Sequence, residues 1–257
     1  MKKIALITGA TSGIGKATAL KLAQKSFNLI ITGRRKELLE DLKKELGVKH
    51  KCDVLALNFD VRSKEKVDEM IDNLPEAWKK IEVLVNNAGL AAGLSPIQSG
   101  DTEDWEQMID TNIKGLLYIT RKLAPLMIEN GFGHIINISS IAGKEVYENG
   151  NVYCASKHAV DALTKGMRID LVKHNIKVTS ISPGMVDTEF SLVRFKGDTI
   201  KANKVYEGLT PLFAEDIAEA IIFAVTRPPH VNINDMLIMP TAQASAVITH
   251  RNLPENQ

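Results

Sequence analysis

Tyr153 and Lys157 stand four residues apart, with Asn137-Ile138-Ser139-Ser140 shortly before them. Four residues is just over one helical turn, so in a helix the phenol and the ammonium leave the same face. A cation fixed beside a phenol favours the phenolate, and the Tyr153 pKa is expected to fall from about 10 toward neutrality. Such a group can take a proton from an alcohol or give one to a carbonyl oxygen. A hydroxyl from Ser140, at a neighbouring strand end, would hold that oxygen. A Tyr-x-x-x-Lys pair is common on solvated helix faces, so its meaning depends on what the rest of the chain places around it.

A second cluster, Thr8-Gly9-Ala10-Thr11-Ser12-Gly13-Ile14-Gly15, follows the first apolar run. Glycines here permit a tight turn and let backbone approach a pyrophosphate. The helix that follows would offer its free N–H groups and positive dipole end to the phosphates. The spacing is not the general G-x-G-x-x-G dinucleotide fingerprint.

Apolar runs alternate with helical patterns along the chain, the mark of a parallel sheet covered by helices on both faces. The expected strands are 4–8, 29–32, 54–58, 83–86, 134–139, 177–182 and 236–239. The expected helices are 13–24, 36–46, 64–74, 102–130, 151–173 and 214–226. Residues 190–213 lack a period and hold Gly197, Gly208 and Pro211, which predicts a lid over a site. From Gln243 onward the chain reads as a tail whose order depends on docking. With no repeat or linker, 257 residues predict one doubly wound α/β domain with seven parallel strands, spanning 1–257.

Composition excludes several classes. Lys and Arg total 32 against 31 Asp and Glu, and a net charge of +1 gives no footprint for a nucleic acid. No stretch approaches the ~18 apolar residues of a membrane span. The short run 4–7 behind Lys2 and Lys3 leads into the glycine turn instead of a cleavage site, so no signal peptide is expected. Cys52 and Cys154 show neither metal nor redox spacing, which predicts a reducing, cytoplasmic setting. Cys154 reads as a small buried residue pointing away from Tyr153. The six histidines are scattered, and no metal site is expected.

Further motifs fall in a recognisable order. Asn86-Asn87-Ala88-Gly89 follows the fourth expected strand, Asn112 lies in the long helix, Ser140 precedes Tyr153 by thirteen residues, and Pro183-Gly184 follows the sixth strand. With the Thr-Gly-x-x-x-Gly-x-Gly turn, this order resembles the short-chain dehydrogenase/reductase family across essentially the whole chain. The resemblance implies a Rossmann fold with a nicotinamide coenzyme across the carboxyl ends of the strands. It implies a catalytic set of Asn112, Ser140, Tyr153 and Lys157, in which Asn112 anchors a proton-relaying water and Lys157 also binds the nicotinamide ribose. Gly9, Thr11, Ser12, Gly13, Ile14 and Gly15 would hold the pyrophosphate, and Asp60 and Val61 the adenine. Asn87, Ala88 and Gly89 would line the adenine ribose, and Pro183, Gly184, Val186 and Thr188 the nicotinamide half.

The second strand ends at Thr32-Gly33-Arg34-Arg35, with no acid to bind a ribose 2′-hydroxyl. Two guanidinium groups there suit a 2′-phosphate, so the coenzyme is expected to be NADP. Residues 188–197, with Pro240-Thr241 and Gln243-Ala244-Ser245, are similar to the NADP-dependent dehydrogenases of serine, L-allo-threonine and related 3-hydroxy acids. Arg194 is then a candidate for a substrate carboxylate, beside Ser140, Tyr147 and Tyr153. Leu90 to Leu94, Val146 and Met185 would shape the remaining pocket. A carbonyl or 3-oxoacyl reductase shares every catalytic residue and stays open, as does a scaffold that senses NADP(H) without turnover. The resemblance also implies a homotetramer paired through 102–130 and 151–173, with Val160, Leu163 and Met167 available for packing.

Overall fold

The computed structural model describes residues 2–252. In chain order the elements are β1 (Ile4–Ile7), α1 (Gly13–Gln24), β2 (Asn28–Gly33), α2 (Lys36–His50), β3 (Val54–Asn58), α3 (Lys64–Asp72), β4 (Ile81–Asn86), α4 (Thr102–Ile109), α5 (Leu116–Asn130), β5 (Gly133–Ile138), α6 (Asn151–Leu171), β6 (Ile176–Pro183), β7 (Val186–Asp187), α7 (Glu189–Arg194), α8 (Thr199–Lys204), β8 (Leu212–Phe213), α9 (Ala214–Val225) and β9 (Asp235–Ile238). Seven strands form one parallel sheet in the order β3-β2-β1-β4-β5-β6-β9, as expected. The order reverses between β1 and β4, which opens a crevice at the carboxyl ends of those strands.

Neighbouring side chains of a strand leave opposite faces of the sheet, and both faces are buried here. Ala5, Ile7, Leu29, Ile31, Val83 and Val85 pack against Leu22 of α1, Leu39 of α2 and Ile217 and Ile221 of α9. Leu6, Ile30, Leu84 and Ile135 pack against Val67 of α3 and Ile119 and Leu123 of α5. One polar rung crosses this interior. Asn86 Nδ2 donates to Asn137 Oδ1 (2.9 Å) and to Thr120 Oγ1 (2.9 Å), and Asn137 Nδ2 donates to Thr164 Oγ1 (2.9 Å). Asn86 and Asn137 are register partners on β4 and β5, so the rung pins two strands and two helices at one level.

Three regions differ from expectation. The helix expected over 102–130 is interrupted by a wide π-helical turn at Asp110–Gly115, which carries Thr111 and Asn112. Gly115 closes this turn against Val61, whose Cγ2 would stand 2.7 Å from an added Cβ. The segment 190–213 holds most of α7, then α8 and β8, and β8 pairs with β7 just before the segment. Caps from Thr188 and Asp198 start its two helices. The described tail, residues 243–252, docks back on the chain: Gln243 bridges to Thr249, Gln243 Oε1 accepts from Met185 N (2.8 Å), and Arg251 Nη2 donates to Val205 O (3.0 Å).

Val160 is buried within the chain at 1% exposure, so it is not free for packing between subunits. Leu163 and Met167 are half-buried, and Met167 packs on the chain's own core. Both cysteines are free and buried. Among the described residues no helix is long and apolar enough to cross a membrane, and no cluster of three metal-binding side chains occurs.

Candidate active site

A cleft of about 480 Å³ opens over the crevice at the carboxyl edge of the sheet. Its floor is the turn after β1. Gly9 and Gly13 adopt φ of +66° and +50°, where a side chain is strained. At Gly15 a Cβ would stand 2.3 Å from the Gly9 carbonyl oxygen, so only glycine lets α1 press onto the turn. Asn87 laces the turn to the loop after β4, its Nδ2 donating to Thr8 O (2.9 Å) and Gly9 O (3.0 Å). Thr8 Oγ1 accepts in return from Asn87 N (3.0 Å) and Ala88 N (2.9 Å). The first turn of α1 has no side-chain cap bond and no acidic residue, so its amides and dipole face the cleft.

Arg35 folds over this turn. Its Nη2 donates to Ser12 Oγ (2.8 Å) and Thr11 Oγ1 (3.0 Å), and its Nη1 to Glu189 Oε2 (2.8 Å) at the start of α7. Arg34 is looser, 4.0 Å from Asp60 Oδ2 with its side chain 58% exposed. Asp60 is committed to Arg62 through bonds of 2.6 and 2.9 Å. Burial pushes the Asp60 carboxyl up, but the Arg62 bonds prevail and hold it below the ordinary value. The two arginines therefore offer different things: Arg34 a free guanidinium, Arg35 one braced by the turn and the lid.

At the other end of the cleft stand the four expected catalytic side chains, all buried: Asn112, Ser140, Tyr153 and Lys157. Lys157 Nζ donates to Ile138 O (2.9 Å) at the end of β5. Asn112 Oδ1 accepts from Leu90 N (2.9 Å), and its Nδ2 donates to Leu90 O (2.9 Å) and Ser156 Oγ (3.0 Å). The π-helical turn thus aims Asn112 at the backbone beside Lys157, behind Gly89. Ser140 Oγ accepts from Ala142 N (3.1 Å) and donates to Pro183 O (3.4 Å), which ties the loops after β5 and β6.

The electrostatics correct one expectation. Burial pushes the Tyr153 phenol well above the ordinary tyrosine value; nearby Tyr147 adds to the rise, and Arg194 and Ser140 oppose it. Burial outweighs the lowering expected from Lys157, whose ammonium donates to Ile138 O and stands 6.0 Å from the Tyr153 ring centre. Burial lowers Lys157 itself to about 8.

Residues 3–197 match the family described as short chain dehydrogenase. The chain belongs to that family. It is 49% identical over 251 residues to the NADP-dependent 3-hydroxy acid dehydrogenase YdfG of Salmonella typhi, with 97% of this chain and 100% of the relative covered. It is 46% identical over 245 residues to Sulfoacetaldehyde reductase 2 of Chromohalobacter salexigens, covering 95% of this chain and 96% of the relative. Among solved structures, a closed form of serine dehydrogenase complexed with NADP+ superposes with a TM-score of 0.91 at 45% identity, covering 97% of this chain and 100% of that one. Serine dehydrogenase from Escherichia coli superposes at 0.81 with 41% identity, covering 94% and 99%.

Within this family frame the residues expected at the site divide in two. Gly9, Thr11, Ser12, Gly13, Ile14, Arg34, Arg35, Asp60, Val61, Asn87, Ala88, Gly89, Pro183, Gly184, Val186 and Thr188 line the cleft, with Ser140, Tyr153 and Lys157. Gly15 lies beneath the turn and Asn112 behind Gly89. Tyr147 and Arg194 stand beside Tyr153 but not on the cleft wall; Arg194 lines a small second cavity behind the Tyr153 ring. Leu90 lines the cleft, whereas Val146, 64% exposed, and Met185 are not on its wall. Sequence reasoning missed Thr111, Glu189, Phe190 and Val193 on the wall. Residues 189–193 belong to α7, where a helical period over six residues is too short to read.

Proposed function

We propose that this chain is an NADP-dependent oxidoreductase acting on the 3-hydroxyl or 3-keto group of a small 3-hydroxy acid, of the serine, L-allo-threonine or 3-hydroxyisobutyrate type. The observation that carries the reading is the joining of two halves in one cleft: a glycine cradle with Arg34 and Arg35 at one end, and Ser140, Tyr153 and Lys157 at the other. The cradle fits the coenzyme on structural grounds, since Gly9 and Gly13 turn the chain at positive φ, Gly15 lets α1 press onto the turn, and the uncapped α1 amides are left to face the cleft. The absence of an acid after β2 and the presence of two guanidinium groups favour the phosphorylated dinucleotide. When bound, NADP(H) accepts or supplies the hydride.

The protein's own part is proton handling and placement. In oxidation the Tyr153 oxygen takes the hydroxyl proton as the carbonyl forms, and in reduction it returns one. Ser140 Oγ, turning its hydrogen from the long 3.4 Å bond to Pro183 O, donates to the reacting oxygen and stabilises charge developing there. Lys157 would hold the nicotinamide ribose and, with Asn112 beside it, would return a proton to Tyr153 after reduction and remove one after oxidation. Arg194, bonded to Tyr147 behind the Tyr153 ring, adds positive charge near the reacting centre without lining the cleft, which favours an acid substrate. The sulfonate relative extends the same logic to another small anion.

A panel of serine, L-allo-threonine, 3-hydroxyisobutyrate and sulfoacetaldehyde, with neutral alcohols and ketones, is read by nicotinamide absorbance with NADP(H) and NAD(H). The expected result is turnover of the acids with NADP(H). Reduction of neutral ketones alone would transfer the chain to the carbonyl reductases. We further propose a cytoplasmic homotetramer: two free thiols suit a reducing compartment, and exposed Leu117 and Ile128 on α5 and Ile169 on α6 offer apolar contact. A monomer by light scattering at micromolar concentration would overturn the assembly.

A further inference from the structure

Lys144 lies four residues after Ser140, in the loop that follows β5, and two acids from different elements share its ammonium. Nζ pairs with Asp161 Oδ1 on α6 and with Asp235 Oδ2 at the start of β9. Asp161 is only 9% exposed and takes a second cation, Lys165, at 2.7 Å. Burial lowers the Lys144 ammonium, but its bonds to the two carboxylates prevail and raise it, so the charge is kept. Ordering a long lysine and desolvating its partners costs about what the pairing returns, so such a cluster adds little net stability. What it fixes is direction, and here the directions converge on one catalytic side chain.

Ser140 Oγ caps the single helical turn Ile141–Gly143, accepting from Ala142 N (3.1 Å), and donates to Pro183 O (3.4 Å) at the end of β6. Gly143 N donates to Ser140 O (2.9 Å) and Lys144 N to Ile141 O (2.9 Å), so the backbone from Ser140 to Lys144 moves as one piece. Asp235 Oδ1 in turn accepts from Ser182 Oγ (3.4 Å), next to Pro183. The bonds close a ring through Ser140, the turn, Lys144, Asp235, Ser182 and Pro183. A second tie runs to the helix that carries Tyr153. Ser139 Oγ donates to Lys157 O (3.3 Å), and a Cβ on Gly143 would stand 2.7 Å from that same oxygen, so the turn presses on α6 itself. Tyr153, Lys157 and Asp161 follow at four-residue steps along one face of α6. Lys144 therefore holds α6 about one turn beyond Lys157.

We propose that Lys144 is a positioning residue for the reaction: by clasping the Ser140 turn to α6 and to β9, it sets the distance between the Ser140 hydroxyl and the Tyr153 phenol. The proposal rests on the dehydrogenase reading, in which both hydroxyls meet one reacting oxygen. Lys144, Asp161 and Asp235 do not line the cleft, so they act only through the residues they hold. A shift of about 1 Å in a reacting group can cost on the order of a hundredfold in rate, and losing such a donor outright costs roughly 10²–10³.

The test compares wild type, Lys144→Met, Lys144→Arg, Ser140→Ala and the double variant Ser140→Ala with Lys144→Met, using a substrate that the wild type turns over. Lys144→Met should lower kcat by about 10–100-fold, less than Ser140→Ala does, with NADPH affinity by fluorescence titration unchanged. Lys144→Arg, whose fork can meet both acids, should restore most of the loss. In the Ser140→Ala background, Lys144→Met should cost little more, because the side chain it aims is gone. Equal losses in the two backgrounds, or a wild-type kcat in folded Lys144→Met, would overturn the proposal. If Lys144→Met does not fold, Asp235→Asn releases the β9 half of the clasp from a side chain 37% exposed. Its kcat must then fall by a smaller step, and an unmoved kcat overturns the positioning. Amide hydrogen exchange over residues 140–144 needs no substrate. It should quicken in Lys144→Met while the glycine turn keeps its rate, and unchanged exchange overturns the clasp. Should the wild type turn over nothing on the panel, the dehydrogenase reading fails by itself and the exchange measurement still decides the clasp.

Discussion

Gly15 and Gly47 both lie in helices, yet adding one methyl group to each should move the protein in opposite directions. A Cβ at Gly15 would stand 2.3 Å from the Gly9 oxygen, 2.9 Å from the Gly9 carbonyl carbon and 2.5 Å from Asn87 Nδ2. Ordinary contact begins at 3.4 Å, so α1 and the turn must part by about 1 Å (3.4 less 2.3). The Asn87 bonds to Thr8 O and Gly9 O would go with that movement. Two such bonds contribute about 1–3 kcal/mol, and overpacking of this kind costs roughly 1–3 more. Gly15→Ala should thus lose about 2–6 kcal/mol, a fall in Tm of roughly 5–20 °C at this chain length. It should also weaken NADPH binding at least about tenfold, since the cradle loses its lacing. At Gly47, in α2, nothing lies within 4 Å of the added carbon. There alanine should gain about 0.5–1 kcal/mol by narrowing the unfolded ensemble, with coenzyme binding unchanged. Thermal unfolding without coenzyme and an NADPH fluorescence titration read both variants. A Gly15→Ala protein that melts and binds like the wild type would refute the reasoning.

Three other outcomes are expected. Tyr153→Phe keeps the ring that packs on Phe190 and removes the acid–base hydroxyl, so turnover should fall by about 10²–10⁴ with NADP affinity nearly unchanged; a tenth of wild-type activity would count against it. Alanine at both Arg34 and Arg35 should raise the KM for NADP by about one to two powers of ten per lost contact, spare NAD, and show less effect in high salt; a double variant still strongly preferring NADP would move the phosphate site elsewhere. Burial holds the His134 ring down to about 3 from 6.5, with Nε2 against Thr179 Oγ1 at 2.7 Å and Lys177 nearby. The unfolded chain then binds a proton below 6.5 that the folded chain refuses until about 3, so stability is full above 6.5 and declines as pH falls through that window. The loss should be about 1.4 kcal/mol per pH unit, and His134→Asn should flatten the acid limb of Tm against pH; equal slopes in the two proteins would sink the idea.

The sheet and the glycine turn were legible because each rests on a local signal. Runs such as Ile4–Ile7 are apolar on both faces, and glycines at 9, 13 and 15 have few reasons to cluster apart from a tight approach. The π-helical turn at Asp110–Gly115 was not legible, since its extra residue per turn is imposed by Gly115 meeting Val61 from another element. Nor was the return of the chain after Gln243, which depends on bonds to Met185 and Val205 far back in sequence. The Tyr153–Lys157 spacing gave the right neighbours and the wrong electrostatics. A four-residue step puts two groups on one face, but it does not show how deeply both are buried, and burial is the largest effect on each. Arg194 was singled out as a cation near the site, yet only the folded lid puts it behind the phenol.

The rung formed by Asn86 and Asn137 lies beneath all of this chemistry. Asn86 immediately precedes the Asn87-Ala88-Gly89 loop, and Asn137 sits three residues before Ser140. Replacing either alone with a hydrocarbon would leave the other with its threonine partner, Thr120 or Thr164, but an unpaired amide oxygen in a dry interior, at about 1–3 kcal/mol, whereas exchanging both for well-shaped apolar groups can be nearly neutral. The two positions therefore behave as one inherited unit, to be swapped together or kept. The loops above are laced by bonds of their own, Asn87 to the glycine turn and Ser140 to Pro183, so the two strand ends are held level from above as well as from beneath.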